Sequence, residues 1–115
     1  MLKILLILLV SLSIYAKDEK MILLYVEKDG CQWCQMMDED IIENTKVLKK
    51  INKLYKLKRV KKGSKLIPSF IEVKYYPSSY ILSPDSTKLV DEIIGYQNPD
   101  KFIEQLQYIY ELFGQ

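Results

Sequence analysis

The sequence contains no histidine. Catalysis that pairs a serine or cysteine with an imidazole base is therefore excluded, and so are the usual imidazole metal sites. Cysteine is nearly absent too, with two in 115 residues. A structural zinc site takes four ligands, and two thiolates without histidine do not supply that set within one chain. Glycine and proline number four each, which excludes collagen-like and low-complexity classes. No charge of one sign dominates, because 17 Lys and Arg face 15 Asp and Glu for a formal charge of +2. The longest basic run, LKRVKKGSK at 57–65, reads as a solvated strand and loop. A nucleic-acid groove needs more basic residues with aromatics interleaved, so no nucleic-acid partner is expected. What remains is 49% hydrophobic and 28% charged, the composition of one globular domain with a modest core.

The first residues, MLKILLILLVSLSIYA, carry one Lys (Lys3), an apolar run over 4–14 and a small final residue, Ala16. The run is shorter than the roughly 20 residues that span a bilayer. Its order of charge, apolar core and small residue is that of a secretory signal peptide over 1–16. An uncleaved membrane anchor is the alternative. No Cys follows the run, so a lipid-modified N-terminal Cys is excluded. The domain is then 17–115, with KDEK at 17–20 as the linker candidate. The expected location is periplasmic or secreted, an oxidising compartment where disulfides persist.

Periodicity orders the rest. The apolar run at 20–30, closed by Asp29-Gly30, predicts a buried strand. After the cysteines, Met37, Ile41, Ile42, Ile51, Leu54 and Tyr55 recur at helical steps, with a break or kink at Asn44-Thr45. Acidic residues lie early and lysines late, as the helix dipole favours. Alternation at 57–62 predicts an edge or half-buried strand. The stretch 67–73 is expected to form a short helix with Pro68 in its first turn. Strands are expected at 79–82 and 88–94, joined by a tight turn at 83–86. A last helix is expected at 98–114, capped by Asn98 and closed by Gly114, with Phe102, Leu106, Ile109, Tyr110 and Phe113 as its apolar face. This order predicts an α/β fold with a mixed central sheet flanked by helices.

Cys31 and Cys34 stand at the strand-to-helix junction, in KDGCQWCQMM. The first helical turn has unpaired N–H groups that favour a nearby thiolate, the reactive form of cysteine. Cys31 would sit nearest to them and to solvent, and Cys34 one turn in. That suits attack by Cys31 on a disulfide and resolution by Cys34. A purely structural disulfide is a weaker alternative, since so short a loop removes little unfolded-state entropy. Cu(I) binding is another, because Met36 and Met37 add soft sulfur beside the cysteines.

CQWC after a strand and opening a helix resembles the active site of the thioredoxin family. EVKYYPSSYIL at 72–82 resembles the strand that the family begins with a cis proline facing its CxxC, and LVDEIIGY at 89–96 resembles the next strand with its terminal glycine. The resemblance spans roughly 20–113. It implies a thioredoxin-like fold and a thiol–disulfide oxidoreductase with Cys31 and Cys34 as catalytic residues. It further implies a cis bond before Pro77, a Tyr76 backbone that pairs with an extended substrate segment, and Trp33 either contacting partners or shielding the sulfurs. The substrate would be a disulfide of a protein or small thiol, reduced with electrons from a membrane thiol reductase. No dissociable cofactor is implied and no metal. The family's Trp before the motif and Gly-Pro inside it are replaced here by Gly30 and Gln32-Trp33. Many members hold a buried acid in the first strand, where this chain has Tyr25. Glu27, on the same face, is the candidate substitute. The rival functions are a Cu(I)-handling module and a non-catalytic binding domain on the same fold.

Overall fold

A computed structural model describes residues 19–114. The stretch read as a signal peptide lies outside the described residues. Among those described, no helix is long and apolar enough to cross a membrane.

Four strands form one sheet in the order β2-β1-β3-β4. They are β1 (Met21–Glu27), β2 (Tyr55–Lys61), β3 (Ser78–Leu82) and β4 (Leu89–Ile94). β1 pairs parallel with β2 and antiparallel with β3, and β3 pairs antiparallel with β4. A parallel pair needs a crossover. Here it consists of helix α1 (Gln32–Met37), a π-helical turn (Asp38–Ile42) and helix α2 (Thr45–Leu54). The break expected at Asn44-Thr45 is an N-cap. The Asn44 side chain accepts from the N–H groups of Lys46 and Val47 at 3.1 and 3.3 Å, a cap worth about 1 kcal/mol. Helix α3 (Pro99–Phe113) ends the described chain, with Asn98 accepting from Lys101 N–H.

Alternation along β1 divides the core. Met21, Leu23 and Tyr25 join the cluster on one face with Met37, Ile41, Ile51, Phe102, Leu106 and Ile109 from the helical segments. Ile22, Leu24 and Val26 join the opposite cluster with Val60, Tyr80 and Leu82. That second face is roofed by Ile67, Ile71, Val73 and Tyr76.

The expected helix at 67–73 is therefore absent. The segment makes one turn, closed by Ile71 N–H on the Pro68 carbonyl at 3.0 Å, and then runs without regular structure to Pro77. A stretch this short nucleates a helix poorly. Spread over the sheet, it delivers Ile71 and Val73 to the second cluster. The hairpin turn forms as expected, with Ser83 N–H on the Lys88 carbonyl and Ser86 in the left-handed region at φ 63°.

The last helix departs from expectation at one residue. Phe102, Leu106 and Ile109 are buried, but Phe113 is 55% exposed. It continues the apolar stripe past the packed turns. Leu106→Ala should lower unfolding free energy by about 2–5 kcal/mol, and Phe113→Ala by less than about 0.5 kcal/mol. Urea denaturation of the two variants measures the contrast, and equal losses would contradict this packing.

Candidate active site

β1 delivers the chain to the site at its C-terminal end. Lys28–Gly30 turn it, with Gly30 in the left-handed region at φ 69°, where a side chain would be strained. Cys31 then caps α1, its extended backbone (φ −103°) preceding the first helical residue. Its sulfur accepts the Cys34 N–H at 3.1 Å. The two cysteines form a disulfide, with their Cα atoms 5.2 Å apart. Cys34 is buried, and Cys31 is partly exposed.

The loop before β3 faces this disulfide. The Tyr76–Pro77 peptide bond is cis, and Cys31 Sγ lies 3.7 Å from the Tyr76 carbonyl oxygen. Pro77 is buried, and its carbonyl accepts the Gly95 N–H at 2.8 Å. That bond joins the start of β3 to the end of β4. Lys28 Nζ stands 5.3 Å over the Tyr76 ring. Trp33 is 56% exposed, with its ring centroid 5.6 Å from that of Tyr96. The residues singled out in the sequence, Cys31, Cys34, Trp33, Tyr76 and Pro77, thus converge on one end of the sheet. Met37 belongs to the core, whereas Met36 is 37% exposed. Among the described residues no group of three or more Cys, Asp, Glu or His is placed to hold a metal ion.

A charged cluster lies beneath Cys34. Tyr25 is fully buried. Its hydroxyl donates to Asp38 Oδ1 at 2.8 Å and also lies 3.4 Å from the Cys34 carbonyl. Arg59 bonds Glu27 at 3.1 Å and Asp38 at 2.9 Å. A cleft runs from Cys31 and Cys34 down to Glu27, Asp38 and Arg59. Burial pushes the Glu27 carboxyl above its ordinary 4.5, a hydrogen bond with Asp38 adds to this, and Arg59 opposes it. Burial, then the Asp38 bond, pushes the Tyr25 hydroxyl well up, so it remains a donor.

Sequence reasoning found Glu27 but missed Asp38, Arg59, Asp40 and Tyr96. Asp38 follows Cys34 by four residues, one helical turn on the same face, and that spacing was a readable signal. Arg59 arrives through the strand register that sets it beside Tyr25, which no local pattern announces.

No family model matches the chain, and no curated protein sequence matches it. Solved structures do. The reduced periplasmic thioredoxin SoxS from Paracoccus pantotrophus superposes with a TM-score of 0.65 at 20% identity, over 80% of this chain and 97% of that one. A DsbH oxidoreductase gives 0.64 at 15% identity, over 83% and 75%. The reduced C-terminal domain of DsbD from Neisseria meningitidis gives 0.60 at 16% identity, over 86% and 87%. These likenesses establish the thioredoxin fold.

The raised Glu27 carboxyl has a stability consequence. The folded state holds its proton more tightly than the unfolded state, so stability from this group is fully present below the ordinary 4.5. It is lost as pH rises through the higher folded value. Relative to Glu27→Gln, the wild type should lose stability over that window and then level off. Denaturation midpoints for both proteins between about pH 3.5 and 8 provide the measurement, and a pH-independent difference would contradict the assignment.

Proposed function

We propose that the chain is a thiol–disulfide oxidoreductase of the cell envelope, cycling Cys31 and Cys34 between dithiol and disulfide. The observation that carries the reading is the Cys31–Cys34 disulfide at a helix start, with the sulfur of the partly exposed Cys31 facing the Tyr76 carbonyl. The thioredoxin fold supports it, since the neighbours that share this fold include a periplasmic thioredoxin and an oxidoreductase.

In the reducing direction Cys31 is the nucleophile. The Cys34 N–H that its sulfur accepts stabilises negative charge there once the disulfide is opened. Attack forms a Cys31–substrate disulfide, breaks the substrate S–S bond and releases one substrate thiolate. Cys34 then attacks the Cys31 sulfur, closes the internal disulfide and releases the second thiolate. Two electrons pass from the dithiol to the substrate. Cys34 is buried, so its proton must leave by a defined route before attack. The cleft shared with Glu27 and Asp38 supplies that route, and an ionised carboxyl there is the acceptor. The Tyr76 backbone and Pro77 dock an extended substrate segment, and Trp33 borders it.

The substrate is a disulfide of a protein or small thiol. The protein acts as a reductant recharged by a membrane thiol reductase, and it uses no dissociable cofactor. The signal-like sequence at 1–16 supports a periplasmic or secreted location.

Equilibration in glutathione and dithiothreitol buffers gives the reduction potential, with Trp33, the one tryptophan, as the reporter. A value near about −270 mV supports a reductant, and one near about −120 mV reverses the direction of electron flow. A pair that does not cycle defeats the enzyme reading. Cys34→Ser should accumulate a substrate adduct on Cys31, read as a mass shift that dithiothreitol removes. Cys31→Ser should accumulate none.

A further inference from the structure

Trp33 sits inside the CxxC motif and more than half of it is exposed, yet its ring is not left to itself. Tyr96 meets it at a centroid distance of 5.6 Å and an interplanar angle of 40°. The Tyr96 hydroxyl donates to Asp40 Oδ2 at 2.6 Å. Asp40 lies in the π-helical turn that continues α1, seven residues after Trp33. Tyr96 links the two residues, its ring towards the indole and its hydroxyl on the carboxylate.

Tyr96 also packs against the helical-side core cluster, and the hydrogen bond to Asp40 fixes the direction of its hydroxyl. It follows Gly95, which is left-handed at φ 82°, in a stretch without helix or strand. Its backbone neighbourhood is tied to Pro77 through the Gly95 N–H. The side chain is tied to Asp40. Trp33, Tyr96, Ile94, Gly95, Tyr75 and Tyr76 line a groove of about 540 Å³, large enough for an apolar side chain. Its walls are mostly aromatic, and the Trp33–Tyr96 pair forms one of them.

We propose that Asp40 is a positioning residue. Through Tyr96 it holds the Trp33 indole as a fixed wall of this groove, which receives an apolar side chain beside the substrate's disulfide. The wall itself stands on geometry alone, and its use on a substrate rests on the oxidoreductase reading. Asp40 touches neither sulfur nor groove, so it acts on substrate affinity and not on the exchange chemistry.

The test compares Asp40→Ala, which removes the acceptor, with Asp40→Asn, whose amide oxygen still accepts the Tyr96 hydroxyl. Both are purified in the form that accumulates in cells. Time-resolved anisotropy reads Trp33. Reduction of a Phe-flanked disulfide peptide and of hydroxyethyl disulfide reads the groove, with dithiothreitol regenerating the Cys31–Cys34 dithiol and its uncatalysed rate subtracted. Asp40→Ala should speed the Trp33 anisotropy decay and raise KM for the peptide at least threefold, with kcat changed less than twofold. KM for hydroxyethyl disulfide should not move, and Asp40→Asn should behave as wild type. Unchanged anisotropy in Asp40→Ala overturns the proposal, as does an equal rise in KM for both substrates. If the wild-type protein reduces neither disulfide, the oxidoreductase reading fails, and the anisotropy alone decides whether Asp40 fixes the wall.

Discussion

The rest of the structure depends on a strand that must be covered on both faces. Every residue of β1 is buried. Its alternating side chains point into two separate clusters, each needing its own cover to stay out of water. Burial of each large side chain is worth about 1.5–3 kcal/mol, so leaving either face open would forfeit much of the core. Helical segments cover one face. The other is covered by the irregular stretch through Ile67, Ile71 and Val73, which then leads straight into Tyr76 and Pro77. The same constraint places the chemistry. The chain leaves β1 at Glu27 and reaches Cys31 within one turn, while the cover of the opposite face returns at Tyr76. Two segments 45 residues apart meet at a sulfur because both are finishing the burial of one strand.

The charged cluster follows from a second constraint, that buried polar groups need partners. Tyr25 sits wholly inside the helical-side cluster, so its hydroxyl requires an acceptor there. Asp38 supplies one at 2.8 Å. A half-hidden carboxylate in turn needs a cation, and Arg59 arrives from the neighbouring strand. Arg59 also holds Glu27, whose own burial works against its charge. Each group answers a need created by the previous one. The series begins with Tyr25 in the first strand and ends with two carboxyls lining the cleft that reaches the buried cysteine.

Much of this was legible in the sequence because it was written in short-range patterns. The strand at 21–27, the Asn44 and Asn98 caps, the Ser83–Ser86 turn and the CxxC junction all depend on neighbours within a few positions. What was not legible depends on where a segment ends up. The stretch at 67–73 has a proline and apolar spacing that would suit a helix, and only the exposed second face of the sheet explains why it stays open. Phe113 lies on the correct stripe of α3 but beyond the turns that are covered. Glu27 and Arg59 are 32 residues apart, and Asp40 and Tyr96 are 56 apart. Pairs at such separations are made by strand register and helix docking, which no window of a single sequence contains.

The π-helical turn brings the two halves of the site together. A helix that changes pitch redirects the side chains that follow, and here the acids of the turn divide between two tasks. Asp38 turns inward to Tyr25 and Arg59, beneath the buried cysteine. Asp40 turns to Tyr96, beside the exposed tryptophan. The hydroxyl of a tyrosine is the partner in both cases, at 2.8 and 2.6 Å. One tyrosine comes from the first strand and the other from the loop after the last, so the short turn is fastened to both ends of the fold. The six-residue helix that carries Cys34 and Trp33 is too short to hold its own orientation. Its position must come from outside: Met37 anchors it in the core, and these two hydrogen bonds add to that anchor immediately after its last residue.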